Sequence, residues 1–479
     1  MINRAFFILL LTASGLLQAQ EKSFGRFLTD STMKSASVTF CIIDADSGKT
    51  VFSYNDLKSL VPASVLKLVT SSAALEMLGP DYRFHTSIAY TGVINRHSGK
   101  LAGNIIIKGG GDPVLGSKRF DGYYSGFMDK WVEKIKELRI RKISGQIITD
   151  DSYYDYRPVP DKWLWEDEGN YYGAGAYGLS LFDNSYEVHL KSAYDGQKPV
   201  ITGIFPPECM IVLENRLVTA DNSDGGTVFT APYCTYGWLA GSIPPGSDDF
   251  VLKASINDPP LLMASMFNRK LQSAGVIISG KPVTSRQLKS WPDGNNITVD
   301  DVLSPPLRDI AAVMNHESIN MYAEHIVKEL GKVFRNQGTT GAGIDVIDGF
   351  LSKAGISHSG VFIEDGSGLS PLNAISAREV TDLLFYMKRK GKYFSDFYSS
   401  LPQAGSEGTL KNFFTDPVFG NSMRAKSGSM TRVRSYAGYV TAKSGKNLIF
   451  CIIINNFDGQ PTSIVQEIEE IMKETVQNN

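Results

Sequence analysis

Ser64 and Lys67 stand three residues apart in the stretch Leu60-Val61-Pro62-Ala63-Ser64-Val65-Leu66-Lys67. On a helix that spacing puts a hydroxyl and an amine on one face, one turn apart. The amine is then close enough to take the hydroxyl's proton, which is how a serine nucleophile can be activated without histidine. Taken alone, the pair also fits a helix cap beside a lysine whose stem lies along apolar surface, and both readings stay open. Two downstream stretches bear on the choice. Ser318-Ile319-Asn320 offers a second hydroxyl and an amide, and Lys426-Ser427-Gly428-Ser429 offers a second amine among small hydroxyl residues.

The elements that must position these groups are legible from spacing. Pro62 and Ala63 open a helix that runs through Leu78 and stops at Gly79-Pro80. Leu66, Leu68, Val69, Ala73, Ala74, Leu75, Met77 and Leu78 cover nearly all its faces, so this helix belongs inside the protein. Residues 37–43 alternate as a strand, with Val38, Phe40 and Ile42 on one face, and residues 50–54 return beside it. Strands at 85–90 and 104–108 lead into Gly109-Gly110-Gly111-Asp112-Pro113. Its glycines lack the order of a phosphate loop and read as a tight turn. A helix at 123–138, a strand at 145–149, an aromatic, glycine-rich stretch at 153–177 and many-turned strands over 186–256 follow. Next come a helix at 261–274 closed by Gly275 and a strand at 296–303. Ser304-Pro305-Pro306 starts a helix to Met314, and another runs from Asn320 to Gly331, leaving Ser318 and Asn320 at a junction. Ser376 and Glu379 form a capping box. Strands at 423–430, 436–441 and 448–454 and an amphipathic helix at 462–475 complete the chain.

At 479 residues the chain exceeds one comfortable core, so two or three domains are expected. Its 48 basic and 50 acidic side chains nearly balance, so nothing points to a nucleic-acid footprint and no nucleic-acid partner is expected. Arg4 followed by the apolar run from Ala5 to Leu17, with Ala19 at a cleavage point, reads as a signal peptide over residues 1–19. That run is too short to span a membrane comfortably, so an exported, periplasmic protein with no stable membrane span is expected. Cys41 and Cys451 lie in strand-like runs and should be buried and reduced, whereas Cys209 and Cys234 are open to a disulfide. The six histidines, at 85, 97, 189, 316, 325 and 358, show no metal spacing, so neither metal nor cofactor is expected. His316 reads as a structural or rim residue and Asp365 as a loop-shaping one.

In order along the chain, Ser64-Val65-Leu66-Lys67, Ser318-Ile319-Asn320 and Lys426-Ser427-Gly428 resemble the three motifs of penicillin-recognising serine enzymes. Ser304-Pro305-Pro306-Leu307, Tyr322-Ala323-Glu324, Asp365-Gly366-Ser367-Gly368-Leu369-Ser370, Leu401-Pro402-Gln403-Ala404-Gly405 and Ala437-Gly438-Tyr439-Val440 sharpen the match. Together they resemble the D-alanyl-D-alanine carboxypeptidase/endopeptidase family called DacB or penicillin-binding protein 4, over nearly all the mature chain. Two departures stand out. Ile319 replaces a usual Asp or Asn, and Ser427 replaces a usual Thr but keeps the hydroxyl.

The resemblance implies an α+β fold: a penicillin-binding/β-lactamase-like catalytic domain with a five-stranded antiparallel sheet flanked by helices, carrying two inserted domains. Lys67 and Ser318 are 318 − 67 = 251 residues apart, which independently requires an insertion. The expected catalytic domain is residues 20–83 plus 291–479. Inserted domain II takes 84–108 plus 190–290, and inserted domain III takes 109–189.

By the same resemblance Ser64 is the nucleophile that forms the acyl-enzyme, and Lys67 is its base, with Lys426 supplying charge repulsion. Ser318 relays a proton to the leaving amine, and Asn320 holds the substrate amide and orients Lys67. Because neighbours on a strand face opposite ways, Lys426 should reach beneath Ser318 while Ser427 meets the substrate carboxylate. Gly428 should leave space for the substrate as an added strand, and the N–H groups of Ser64 and Ser429 should form an oxyanion hole. The expected partners are peptidoglycan stem peptides and β-lactam antibiotics, with a homodimer left open. A β-lactamase and a catalytically silent wall-binding protein are the competing readings.

Overall fold

The computed structural model describes residues 23–192, 194, 196–220, 225–292 and 294–479, so the expected signal peptide lies outside the described residues. The chain divides into two units, each assembled from separate stretches. One takes the residues up to Pro80 together with Leu307–Ile319 and Ile344–Asn479; the other takes Asp81–Pro306 and Asn320–Gly343.

The first unit contains strands β1 (Ser37–Asp44) and β2 (Thr50–Tyr54), helices α1 (Lys67–Leu78), α2 (Leu307–Glu317) and α3 (Ala377–Lys390), strands β3 (Met423–Met430), β4 (Val433–Thr441) and β5 (Asn447–Asn455), and helix α4 (Pro461–Asn478). The five strands make one antiparallel sheet in the order β2-β1-β5-β4-β3. Alternation sends Val38, Phe40, Ile42, Phe450, Ile452 and Ile454 to one face, where they pack on Ile464, Ile468 and Met472 of α4 and on Phe24 and Phe27. Helix α3 belongs to the other face. Its Leu384 carbonyl accepts from Tyr439 of β4 at 2.8 Å, and Thr381 reaches the Cys41 sulfur at 3.5 Å. Cys41 sits opposite Cys451 in the register, both buried with free thiols, as the strand reading expects. Cys209 and Cys234 are also unpaired.

In the second unit a five-stranded sheet redraws the expected subdivision. His85–Tyr90 pairs antiparallel with Ile105–Gly110 and with Ile297–Leu303. Ile147–Asp150 runs parallel to Ile105–Gly110, and Val283–Thr284 parallel to Ile147–Asp150. This sheet draws strands from both sides of the borders expected at 108/109, 189/190 and 290/291. The physical reason is that parallel strands need crossover connections, so sheet neighbours are remote in sequence. A separate sheet of Val200–Phe205, Ser185–Lys191 and Phe250–Ser255 accounts for part of the many-turned stretch.

The glycine run after Ile105–Gly110 is a turn and a place of close approach. Gly111 has φ +77°, and a Cβ there would fall 2.3 Å from the Tyr154 hydroxyl. The helix expected to stop at Gly331 instead continues to Arg335. Gly331 serves packing, since a Cβ there would lie 2.6 Å from the Gln337 carbonyl and 2.8 Å from the Gly343 nitrogen.

Candidate active site

Residues 62–75 are buried with one exception, Ser64, which keeps partial exposure at the head of the buried helix. A 3-10 turn, Ala63–Leu66, carries the serine, and α1 continues from Lys67. Ala63, just before the serine, holds φ +47°, an arrangement costing roughly 1–3 kcal/mol for a non-glycine residue that the surroundings must enforce. The enforcing contacts are visible. Asn455, at the end of β5, accepts from the Val61 N–H at 2.8 Å and donates to its carbonyl at 3.0 Å. The Ser435 hydroxyl donates to the Pro62 carbonyl at 2.5 Å.

Lys67 is fully buried. Its Nζ lies 2.9 Å from Ser64 Oγ and donates to the Ser367 carbonyl at 2.7 Å. One turn on, the Thr70 hydroxyl donates to the Gly366 carbonyl at 2.6 Å. The 365–370 loop therefore aims the amine at the serine. Asp365 shapes that loop as expected, accepting from the N–H groups of Gly368 and Ser370 and from the Asn373 amide. Gly368, with φ +84°, fits because a Cβ would strike the Ala63 carbonyl at 1.9 Å.

Ser318 stands between α2 and the next helix with φ +59°, a second left-handed residue at a reactive position. Asn315 steadies the end of α2: its amide lies 3.0 Å from the Ser400 hydroxyl and 3.3 Å from that of Ser71. Lys426 on β3 is fully buried, and its Nζ donates to Ser318 Oγ at 3.0 Å, the placement expected from strand alternation. Burial, then the neighbouring Lys67 charge, push Lys426 well below the ordinary lysine range. Repulsion between like charges is mutual, so it disfavours the doubly protonated pair.

Strand β3 ends the sheet; among the described residues no further strand pairs with its outer side beyond the bridge of Arg424 with Gln403, and the Ser427 carbonyl accepts from Lys426 Nζ at 2.8 Å. The Ala425 N–H points outward to the Pro402 carbonyl, so by alternation the backbone groups of Ser427 and Ser429 point outward too. The Ser427 hydroxyl is 2.7 Å from that of Thr409, a residue that sequence reasoning missed. Gly428 corrects an expectation. The space its missing side chain leaves is taken by the Ser435 hydroxyl and the nucleophile's turn, since a Cβ would lie 2.2 Å from Ser435 Oγ, 2.6 Å from the Pro62 carbonyl and 3.0 Å from the Ser64 nitrogen. Asn320 opens the helix Asn320–Arg335, which belongs to the second unit, and its amide donates to the Tyr172 carbonyl at 2.9 Å.

His316 is half-buried with its ring depressed below its ordinary pKa by burial, and Nε2 stands 3.9 Å from Glu407. Glu407 in turn pairs with Arg424 at 3.1 Å, which fits His316 as a rim residue. Among the described residues no cluster of His, Cys, Asp or Glu is gathered for a metal ion, and no helix is long and apolar enough to cross a membrane.

This arrangement joins a serine to a buried amine, a second serine to a second buried amine, and a strand edge to both. The D-Ala-D-Ala carboxypeptidase 3 (S13) family matches residues 20–477. The chain belongs to this family. It is 29% identical over 453 residues to the D-alanyl-D-alanine carboxypeptidase of Actinomadura sp. (strain R39), a match covering 92% of this chain and 81% of that one. Its fold is that of penicillin binding protein 4 (dacB) from Haemophilus influenzae, with TM-score 0.79 and 22% identity over 92% of this chain and 95% of that one. A second structure of that protein, complexed with a novel β-lactam, gives TM-score 0.76 and 21% identity over 93% and 97% of the two chains. The α+β architecture with its five-stranded antiparallel sheet agrees with the fold the motifs imply.

Proposed function

We propose that this S13-family serine peptidase removes or cleaves at D-alanine in peptidoglycan stem peptides through an acyl-enzyme on Ser64. The observation that carries the reading is the 2.9 Å approach of Lys67 Nζ to Ser64 Oγ, the one residue of 62–75 that keeps partial exposure. Lys67 acts as the base, taking the proton as Ser64 attacks the carbonyl of the penultimate residue. The outward N–H of Ser429 and the N–H of Ser64 receive the developing oxyanion. Ser318, held by Lys426, passes a proton to the leaving amine, and water then releases the acyl group. The substrate lies as an added strand along β3, with its terminal carboxylate at Ser427. β-Lactams acylate the same serine, and an exported site of action fits the leader read over residues 1–19.

Labelling with a penicillin, proteolysis and mass spectrometry test this assignment. The adduct should sit on Ser64 alone, and Ser64→Ala should lose both the label and D-alanine release from a pentapeptide. Label on another serine, or full hydrolysis by Ser64→Ala, overturns it.

A further inference from the structure

Of the aromatic, glycine-rich stretch at 153–177, the chemistry above draws on the Tyr172 carbonyl, which holds Asn320, and leaves Trp165 unused. Within it, Trp165 is 55% exposed and packs on Phe229 and Trp238, with ring centroids 5.2 and 5.5 Å away. Phe229 and Trp238 stack on each other at 5.5 Å and 13°, and the Arg216 guanidinium lies 5.0 Å from the Trp238 centroid. Trp165 is thus the most exposed of these three rings. Together with Thr230, Thr235 and Tyr236 the tryptophans line a cavity of about 510 Å³, within the range of small-ligand sites.

The polar groups beside it are fixed in place. Arg216 donates to the Glu214 carboxylate through Nε at 2.9 Å and Nη2 at 2.8 Å, and the Tyr236 hydroxyl donates to the same carboxylate at 2.5 Å. These bonds hold Glu214 at a pKa of about 2, so it stays an ionised acceptor with lone pairs to spare. The guanidinium likewise keeps unused N–H groups. Arg216 and Glu214 cancel each other, and Glu166, Asp167 and Glu168, on the same short helix as Trp165, add only negative charge, so the groove disfavours an anionic partner. A ligand suited to it is neutral, carries hydroxyl and amide groups on its rim, and presents flat C–H faces to aromatic rings.

We propose that this groove binds an uncharged sugar chain, a β-1,4-linked N-acetylhexosamine strand. The inference rests on the peptidoglycan reading above, because a stem peptide hangs from such a strand. A lipid tail would need a deeper apolar cleft without the Glu214 and Arg216 pair, and a free stem peptide would bring carboxylates that the balanced trio does not neutralise.

Calorimetric titration of the full chain with tetra-N-acetylchitotetraose tests the proposal. The sugar should bind, and Trp165→Ala should weaken it about tenfold, the size of one lost ring contact. Tyr236→Phe, which keeps the ring and loses the hydroxyl beside Glu214, should weaken it severalfold. Both variants should hydrolyse a free pentapeptide at the parent rate. Absence of binding at millimolar sugar, or equal binding by parent and Trp165→Ala, overturns the groove. So does displacement of the sugar by a sugar-free stem peptide. Sugar binding without any peptide hydrolysis supports the groove and removes the catalytic reading instead.

Discussion

Two fully buried lysines, each within 3.0 Å of a serine hydroxyl, make the proton inventory of the pocket its main variable. Burial and the Lys67 charge hold Lys426 well below the usual lysine range, so the pair sheds its first proton early as pH rises. Acylation by a penicillin should therefore climb with pH along an acid limb. Lys426→Met removes one charge and with it the repulsion. The remaining amine then keeps its proton to higher pH, so the limb should move upward while the rate falls by on the order of 10²–10⁴. A pH–rate profile of acylation measures both, and an unmoved limb would count against the coupling. That Lys426 reaches Ser318 was legible in the sequence, because alternation along a strand forbids Lys426 and Ser427 from sharing a face. Thr409 was not legible, since it stands 18 positions before Ser427, in an irregular stretch ahead of β3 that has no periodicity. Its hydroxyl orients the Ser427 hydroxyl expected to meet the substrate carboxylate. Thr409→Val should raise KM for a peptide ending in D-Ala-D-Ala about tenfold while sparing kcat, with little effect on the corresponding amide. Thr409→Ser should restore it. A fall in kcat with unchanged KM would assign Thr409 to structure alone.

Among elements, those with a repeating apolar pattern were read well and those set by close approach were not. The buried helix, the capping box at Ser376 and the strands of the five-stranded sheet appear where spacing put them. Helices at Thr340–Ala354 and Phe394–Ser399 went unread, and Gly331 misled because a glycine chosen for packing has the same sequence signature as a stop. The glycine turn after Ile105–Gly110 hides a titrating group. Asp112 is buried, accepts from the Val114 N–H at 2.9 Å and the Tyr124 hydroxyl at 2.8 Å, and is raised by burial to about 7. The unfolded chain would hold that carboxyl near its usual value of about 3.9, so the native state binds its proton more tightly. The advantage is full below the unfolded value and is lost as pH rises through about 7. Asp112→Asn keeps an acceptor for Val114 and offers an N–H to the Tyr124 oxygen, so it should abolish this slope. Urea melts at acidic and alkaline pH should show the parent losing up to about 4 kcal/mol relative to the variant. Parallel stabilities at both pH values would mean that Asp112 is ionised throughout.

For the whole molecule, the separation of Ser64 from Ser318 made an insertion unavoidable, and the structure places more in the second unit than the insertion itself. Helix Asn320–Arg335 joins that unit through a buried polar face that no hydrophobic count would have announced. His325 is driven to about 3 by burial and is neutral, so its Nδ1 donates to the Gly111 carbonyl at 2.9 Å and its Nε2 accepts from Ser180 at 2.9 Å. Lys328 pairs with Asp155 at 2.6 Å, and Glu329 accepts from Tyr82, Tyr153 and Tyr154. Each of these partners lies in the Asp81–Pro306 stretch. A fragment ending at Pro306 would leave Asp155, three tyrosine hydroxyls and the Gly111 carbonyl without them, and breaking one buried pair costs about 3–5 kcal/mol. That loss is comparable to the stability of many domains, roughly 5–15 kcal/mol. Residues 81–343 expressed alone should therefore melt cooperatively by circular dichroism, whereas residues 81–306 should give a broad transition at lower temperature. Equal cooperative melting of the two fragments would show that the helix adds nothing to the unit and that its polar face serves another purpose.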